Sequence, residues 1–227
     1  MKHIGIIMSA GVGRRMGTDI PKQYMDLCGK PVLYYSLKAM QDSFIDEIII
    51  VVGAGDEEYV KKKIVERFSF TKVSAVVTGG KERSDSVYCG LKALENPEAS
   101  YVYIHDGARP CLSSDILLRC KEDVECFGSA VAGVRSKDTV KIVGPEGFVV
   151  TTPDRQYLWN IQTPQVFKGD DLILAYEEFL RDEGAMVTDD ASVIEGYGTL
   201  PVHITEGDYR NIKITTPEDL ETVKKFL

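Results

Sequence analysis

The chain opens with the apolar run His3-Ile4-Gly5-Ile6-Ile7-Met8, which breaks into Ser9-Ala10-Gly11-Val12-Gly13-Arg14-Arg15-Met16-Gly17. This pattern predicts a buried strand that feeds a glycine-rich loop. Glycines let backbone N–H groups approach an anion closely, so we expect the loop to bind a phosphate chain with help from Arg15 and Lys22. A glycine turn carrying solvated arginines is the alternative that this loop alone leaves open.

Two common phosphate-binding motifs do not fit the loop. A dinucleotide fingerprint requires a third glycine where this chain has Met16, and a P-loop requires a Gly-Lys-Ser/Thr ending that this segment lacks. Hydride transfer is therefore disfavoured. Two cations beside a glycine loop suit attack on the α-phosphate of a nucleoside triphosphate, where negative charge grows as pyrophosphate leaves.

The composition is that of an ordinary globular domain. The chain has 227 residues, of which 44% are hydrophobic and 27% charged, and we expect one domain over 1–227. A formal charge of -8 disfavours nucleic acid as a partner. The apolar start is too short to span a membrane. Five cysteines without a Cys-x-x-Cys pair fit a reducing compartment, so we expect a cytoplasmic protein.

Strand and helix patterns alternate along the first half of the chain. β-Branched runs predict strands at 48–52, 73–77 and 101–105, and helical patterns predict helices at 32–41, 56–68 and 84–94. A last helix is expected after Thr216, which precedes Pro217 and a capping-box acid, Asp219. The predicted fold class is α/β, with a Rossmann-like, mostly parallel twisted sheet and helices on both of its faces.

Residues that follow the predicted strands are chemically suited to a site, because sites in open parallel sheets lie beyond the carboxyl ends of strands. The segment 79–86 combines a second glycine turn with a helix start, although it also reads as a simple helix cap. Asp106 is suited to a divalent cation or sugar hydroxyls, or to a salt bridge with Arg109. Lys213 is expected on a short strand, where alternation of side chains places it on the opposite face from Ile212 and Ile214.

A second distinctive stretch interrupts the βα rhythm. Residues 137–143 and 148–152 flank a Gly-Pro-Glu-Gly turn and predict a β-hairpin. A two-stranded ribbon is marginal alone in water, so we interpret 135–160 as a projecting arm used for dimerisation. A hairpin folded back on its own domain is the alternative.

Taken together, these segments resemble the 2-C-methyl-D-erythritol 4-phosphate cytidylyltransferase family, in order and along the whole chain. The motifs that carry the resemblance are Ala10-Gly11-x-Gly13-x-Arg15-Met16, Pro21-Lys22-Gln23-Tyr24, Gly79-Gly80-x-x-Arg83, His105-Asp106-x-Ala108-Arg109-Pro110, Lys137-Asp138-Thr139, Asp154-Arg155-x-x-Leu158-Trp159, Thr163-Pro164-Gln165, Thr188-Asp189-Asp190-Ala191-Ser192 and Asn211-Ile212-Lys213. The resemblance implies transfer of CMP from CTP to the sugar-alcohol phosphate, with magnesium, in isoprenoid precursor synthesis.

The resemblance also implies roles for particular residues. Implied catalytic residues are Arg15, Lys22, Lys213 and Asp106, with Asp106 also a possible metal ligand. Implied CTP-binding residues are Ala10, Gly11, Gly13, Gly80, Ser86 and Gly107. The sugar phosphate is implied to contact Arg109, Thr139, Arg155 and Thr163.

The family pattern further implies a homodimer in which the arm is exchanged, so that Thr139 and Arg155 serve the neighbour's site. Two positions depart from the family pattern: Ser9 replaces a common alanine or glycine, and Lys81 stands where an acid is common. A ribitol 5-phosphate cytidylyltransferase, a non-catalytic CTP-binding regulator, and a sugar-1-phosphate nucleotidyltransferase using UTP or dTTP remain alternatives.

Overall fold

The computed structural model describes residues 1–11 and 20–227. Its strands are β1 (Lys2–Ser9), β2 (Asp26–Leu27), β3 (Lys30–Pro31), β4 (Glu47–Val52), β5 (Val73–Thr78), β6 (Ser100–Asp106), β7 (Ser129–Arg135), β8 (Ile142–Val143), β9 (Val149–Thr151), β10 (Trp159–Lys168) and β11 (Ile204–Glu206). Its α-helices are α1 (Val32–Gln41), α2 (Glu57–Val60), α3 (Arg83–Leu91), α4 (Ser114–Phe127), α5 (Gly169–Phe179), α6 (Asp190–Tyr197) and α7 (Pro217–Val223).

The described part of the chain forms a seven-stranded central sheet in the order β11-β7-β10-β6-β1-β4-β5. The pairs β1–β4, β1–β6, β4–β5 and β7–β11 are parallel, whereas β10 runs antiparallel to both β6 and β7. The expectation of a mostly parallel α/β sheet is confirmed. The one antiparallel strand of this sheet, β10, follows the arm. At that point the alternation of strand and helix patterns in the sequence ends.

Helices cover both faces of the sheet, because the central strands are apolar on both sides. In β4, Ile48 and Ile50 pack into one hydrophobic cluster with α1 and α4. Ile49 and Val51, which point the other way, pack into a second cluster with α3, α5 and α6. This two-sided burial is what the continuous β-branched run predicts, since successive strand side chains point to opposite faces.

Most predicted elements are present with small changes of boundary. The helix predicted at 56–68 is α2 followed by a wider π-helical stretch, Lys61–Glu66. The last helix begins after Thr216 with the expected capping box to Asp219. The prediction of a strand around Lys213 is wrong. Residues 211–215 have no strand pairing, and the Ile214 N–H instead donates to the Ala108 carbonyl, 2.8 Å away, in the loop after β6.

The predicted hairpin is present but shorter than expected. β8 and β9 pair antiparallel in a two-stranded sheet of their own. Their apolar side chains face solvent; Val149 is 57% exposed and Val150 is 69% exposed. Among the described helices, none combines the length and apolar character needed to cross a membrane.

Candidate functional site

A cavity of about 510 Å³ opens where the carboxyl ends of β1, β4, β5 and β6 meet. Ser9 ends β1, Gly53 follows β4, Gly79 follows β5 and Asp106 ends β6, and all four line this large cavity. The position agrees with the expectation that ligands bind beyond the carboxyl ends of parallel strands. The adjoining glycine turns leave room for a bulky ligand.

The start of the first glycine loop is anchored by Gln23. Its side-chain amide donates to the Ser9 carbonyl at 2.7 Å and to the Gly11 carbonyl at 3.0 Å, and the residue is 3% exposed. Ala10 and Gly11, which are predicted to bind CTP, line the large cavity. The predicted residues Gly13 and Arg15 lie outside the described residues.

The second glycine loop is held to the start of α3 by Ser86. The Ser86 hydroxyl accepts from the Gly80 N–H at 3.1 Å and donates to the Glu82 carbonyl at 2.9 Å. A Cβ on Gly79 would lie 2.7 Å from the Ser86 oxygen and 2.8 Å from Ala10 Cβ. Only glycine at position 79 lets the two loops approach this closely. Gly80 and Ser86 line the cavity beside Ala10.

Two lysines enter the large cavity from different parts of the chain. The Lys22 ammonium donates to the Ile214 carbonyl at 2.9 Å, which places it beside the segment that carries Lys213. Lys213 Nζ lies 2.8 Å from an Asp106 carboxylate oxygen, although more than 100 residues separate them in sequence. The backbone bond between Ile214 and Ala108 fixes this approach, so two predicted catalytic cations and the predicted acid share one site.

Asp106 is surrounded by positive charge. Burial alone would raise its pKa, but Lys213, Arg83 and Arg109 together hold the pKa of this carboxyl well below its usual range. Arg109 Nε lies 3.6 Å from the Asp106 carboxylate, and another Arg109 nitrogen donates to the Asn211 carbonyl at 2.7 Å. The salt-bridge alternative considered for Arg109 is therefore present, and Asp106 is ionised at neutral pH.

A smaller cavity of about 260 Å³ adjoins the large one. Arg83, Asp106 and Lys213 line both cavities. The predicted sugar-phosphate residues Arg109 and Thr163 line only the small cavity, together with polar side chains of β10 and of the segment before α6. Two ligands bound side by side would thus face each other across one mixed-charge boundary.

Thr163 supports this boundary through His105. The His105 Nε2 lies 3.2 Å from the Arg109 carbonyl, which can only accept, so Nε2 carries the proton. His105 Nδ1 then accepts from the Thr163 hydroxyl at 2.9 Å, and the same hydroxyl oxygen accepts from the Asp106 N–H at 3.1 Å. Thr163 therefore donates its hydroxyl proton to His105. A contact between Thr163 and a sugar phosphate stays a prediction.

The structure separates three predicted residues from the two cavities. Gly107 is buried behind the large cavity, where a Cβ would lie 2.9 Å from Leu33 and 3.1 Å from the Met8 carbonyl. Thr139 and Arg155 lie on the exposed arm, where Arg155 donates to the Lys137 carbonyl at 3.1 Å. A role in the same chain's cavities does not follow from these positions.

Sequence reasoning gave no site role to four residues that build the site: Gln23, Arg83, His105 and Asn211. Asn211 is fully buried and donates to the Thr163 carbonyl at 2.8 Å, which joins the Lys213 segment to β10. Each of these residues stands inside a quoted motif in which another residue was given the role. A polar side chain next to an apolar strand was the available signal, but its partner was not readable from the sequence.

Comparison with known proteins adds the family. The model of the 2-C-methyl-D-erythritol 4-phosphate cytidylyltransferase family matches residues 4–227. The chain belongs to this family. It is therefore an enzyme, a nucleotidyltransferase that transfers a cytidylyl group from CTP to 2-C-methyl-D-erythritol 4-phosphate in isoprenoid precursor synthesis.

Individual relatives agree over more than nine-tenths of their length. A 2-C-methyl-D-erythritol 4-phosphate cytidylyltransferase from Lachnospira eligens is 47% identical, with 99% of each chain covered. Its counterpart from Lachnoclostridium phytofermentans is 45% identical over 96% of this chain and 93% of the relative. The crystal structure of 4-diphosphocytidyl-2C-methyl-D-erythritol synthase from Anaerococcus prevotii has a TM-score of 0.87 at 34% identity, covering 99% of this chain and 97% of that one.

Proposed function

We propose that the large cavity binds CTP, that the small cavity binds the sugar-alcohol phosphate, and that CMP passes between them in one in-line displacement. The observation that carries this assignment is the shared boundary, where Arg83, Asp106 and Lys213 line both cavities. A phosphate oxygen of the acceptor attacks the α-phosphorus of CTP. The bond from that phosphorus to the oxygen bridging it to the β-phosphate breaks, and pyrophosphate leaves with the electron pair.

The chain does not need a general base for this step. The acceptor phosphate is largely dianionic near neutral pH and is already a nucleophile. Catalysis then depends on alignment and on offsetting the repulsion between two polyanions. We assign this neutralisation to Lys22 and Lys213, joined by Arg15 from the first glycine loop.

Asp106 holds Lys213 and Arg109 in place for their ligands. Its carboxylate lies 2.8 Å from the Lys213 ammonium and 3.6 Å from Arg109 Nε. Arg109 Nε is buried and makes no hydrogen bond within the described residues, and the Asp106 carboxylate fixes its orientation through charge alone. The ionised Asp106 thus orders two cations without itself carrying a proton through the reaction.

The site fits a magnesium ion that has a single carboxylate as its protein ligand. No group of three His, Cys, Asp or Glu side chains able to hold a metal occurs among residues 1–11 and 20–227. Mg²⁺ commonly uses one or two carboxylates and completes its coordination with substrate phosphates and water. Asp106, the carboxylate at the boundary, would be its protein ligand. When bound, the ion would supply charge neutralisation at the phosphates.

We further propose a cytoplasmic homodimer assembled through the 135–160 arm. The arm presents exposed apolar side chains on both of its strands, including Ile142, Val143 and Val149, each at least half exposed. A patch of this kind is typical of an interaction surface. Exchange of the arm would bring Thr139 and Arg155 to the partner's small cavity. The acidic surface suits small-molecule substrates rather than nucleic acid.

The assignment is tested by pyrophosphate release from the purified protein with magnesium, offering CTP or UTP against 2-C-methyl-D-erythritol 4-phosphate or ribitol 5-phosphate. We expect release only with CTP and the methylerythritol substrate. Lys213→Gln should lower kcat/KM by about 100-fold, because one positioned cation at a developing charge is removed. Lys225→Gln removes an exposed lysine near the chain end and serves as the control.

Three results would contradict the proposal. Preference for ribitol 5-phosphate would reassign the acceptor, and preference for UTP would reassign the nucleotide. Tight CTP binding without pyrophosphate release would indicate a regulatory protein that has lost the chemistry.

A further inference from the structure

Asp190 is a fully buried carboxylate to which neither the family resemblance nor the proposed mechanism assigns a role. It begins α6, yet its side chain reaches Arg83, which lies 107 residues earlier in the chain at the start of α3. The pair is bidentate: the two terminal nitrogens of Arg83 donate to the two carboxylate oxygens at 2.8 and 2.7 Å. Such a fork fixes the plane of the guanidinium as well as its position.

A third residue completes the arrangement. The Tyr176 hydroxyl, on α5, donates to one Asp190 oxygen at 2.5 Å. Tyr176 is 1% exposed, and burial together with the neighbouring Asp190 charge raises its pKa well above the ordinary value. The hydroxyl therefore stays protonated and donates throughout the neutral range. Asp190 is held between α5 and α3 with both oxygens occupied.

Arg83 differs from its two partners because it reaches the substrate cavities. About a third of its side chain is exposed, and it lines both the large and the small cavity. Two of the five guanidinium N–H donors go to Asp190, which leaves three for a ligand. The positive charge of Arg83 also contributes to lowering the pKa of Asp106, so its field extends to the boundary between the cavities.

Burial of the Asp190 carboxylate removes it from water, and the ion pair with Arg83 offsets only part of that cost. A buried ion pair is weak support for stability, because removing two charges from water offsets much of their attraction. An apolar pair would pack between α3 and α6 without this cost. The arrangement instead keeps one guanidinium in one orientation at the point where two anionic substrates meet.

We propose that Asp190 and Tyr176 are positioning residues that hold the Arg83 guanidinium between the two cavities, where it contacts the phosphate of the acceptor as that phosphate approaches the nucleotide. This role rests on the proposed assignment of the two cavities. Lysine at position 83 would keep the charge but lose the fork, so its ammonium would not be held at the boundary. The acceptor would then bind more weakly and align less well.

The test is a double-mutant cycle in the full-length protein, followed by KM for each substrate and kcat. Asp190→Asn should lower kcat/KM for the sugar phosphate by about 30-fold, and Arg83→Lys by a similar factor, whereas KM for CTP should change by less than about threefold. If Asp190 acts through Arg83, adding Asp190→Asn to Arg83→Lys should lower kcat/KM by no more than about twofold further. Effects of the two substitutions that simply multiply would overturn the proposal.

A milder pair of variants covers the case in which Asp190→Asn does not fold. Tyr176→Phe removes one hydroxyl from a buried ring at the site. Tyr103→Phe removes a hydroxyl from another fully buried ring, which contacts His3 at 2.9 Å and lines neither cavity. We expect Tyr176→Phe to raise KM for the sugar phosphate by about fivefold and Tyr103→Phe to leave it unchanged, while both lower Tm.

Equal kinetic behaviour of the two phenylalanine variants would overturn the positioning role. Wild-type turnover measured in the same experiment separates this failure from failure of the proposed function. An inactive wild type would refute the cavity assignment, whereas an active wild type with unaffected variants would refute only the role of Asp190 and Tyr176.

Discussion

At the scale of single residues, the site depends on a histidine that burial keeps neutral. His105 is fully buried, and burial lowers its pKa to about 4. It is therefore neutral at pH 7, which lets Nδ1 accept from Thr163 and Nε2 donate to the Arg109 carbonyl. Protonation would place a second hydrogen on the Thr163 side of the ring and disturb the support of Asp106.

We predict a pH-dependent loss of stability from this residue. The pKa is lower in the folded state than its ordinary value of 6.5, so the unfolded state binds more protons as pH falls. The contribution of His105 is complete above pH 6.5 and is lost between pH 6.5 and about 4, where it amounts to about 3 kcal/mol of unfolding free energy. Urea titrations at several pH values measure this change.

His105→Gln is the comparison for that prediction, because glutamine does not titrate. The difference in unfolding free energy between wild type and variant should shrink as pH falls from 6.5 towards 4. His3 also has a pKa lowered by burial and contributes to both proteins equally, so it cancels in the difference. A difference that stays constant with pH would contradict the account of His105.

At the scale of elements, two glycine loops are positioned by side chains that bond to backbone. Gln23 follows the first loop and bonds back to the carbonyls at its start. Ser86 lies in α3 and bonds to the second loop. In both cases the polar side chain bonds to backbone groups that lie beside the large cavity.

We predict that Gln23→Glu weakens nucleotide binding. The carboxylate would face the Ser9 and Gly11 carbonyl oxygens and donate to neither, at a cost of about 1–3 kcal/mol. KM for CTP should rise by about tenfold, with a smaller change in KM for the sugar phosphate. Steady-state kinetics with each substrate varied in turn measure the split.

Gln41→Glu is the matched control for that variant. Gln41 ends α1, and its side chain bonds to Thr71 and to the Lys72 N–H away from the cavities. It makes the same chemical change outside the site. An equal rise in KM for CTP in both variants would show that added negative charge alone, and not the loop contact, is responsible.

The elements also mark how far the sequence predicted the structure. Strands such as β4 were predictable, because a run of β-branched residues buried on both faces has few other solutions. The reversed direction of β10 was not predictable, since apolar and polar side chains alternate in the same way whichever way the strand runs. The segment around Lys213 has strand-like alternation but bonds to a loop, and only the tertiary structure decides between the two.

The residues of the candidate site also differ in how far the sequence predicted them. Glycines and cations near strand ends were predictable because their local motifs carry the chemistry. The Arg83–Asp190 pair joins residues 107 positions apart, and nothing in either motif identifies the other. Conversely, Gly107 belongs to a recognisable motif, yet its lack of a side chain is explained by close packing against Leu33 and Met8.

At the scale of the whole molecule, the proposed dimer divides each active site between two chains. The cavities contain Lys213, whereas Arg155 lies on the arm. Lys213→Gln and Arg155→Ala should each inactivate their own homodimer. A mixed dimer has one cavity with an intact Lys213 that receives an intact arm.

We predict recovery of activity when the two variants are mixed and allowed to exchange. Random pairing makes half of the dimers mixed, each with one working site, so activity should reach about a quarter of the wild-type value. Pyrophosphate release measures the recovery, and mass measurement of differently tagged chains verifies the mixed dimers. Verified mixed dimers that are no more active than the parent proteins would refute the shared site.

The antiparallel placement of β10 has a consequence for engineering. Arg135, which ends β7, is paired with Trp159, which begins β10, and the Ser136 N–H donates to the Leu158 carbonyl at 2.8 Å. The arm therefore leaves and re-enters the sheet at one point, as an insertion does. Because its two ends already meet, a tight turn could bridge them, and arms of other lengths or binding preferences could be grafted there without changing the register of a single sheet strand.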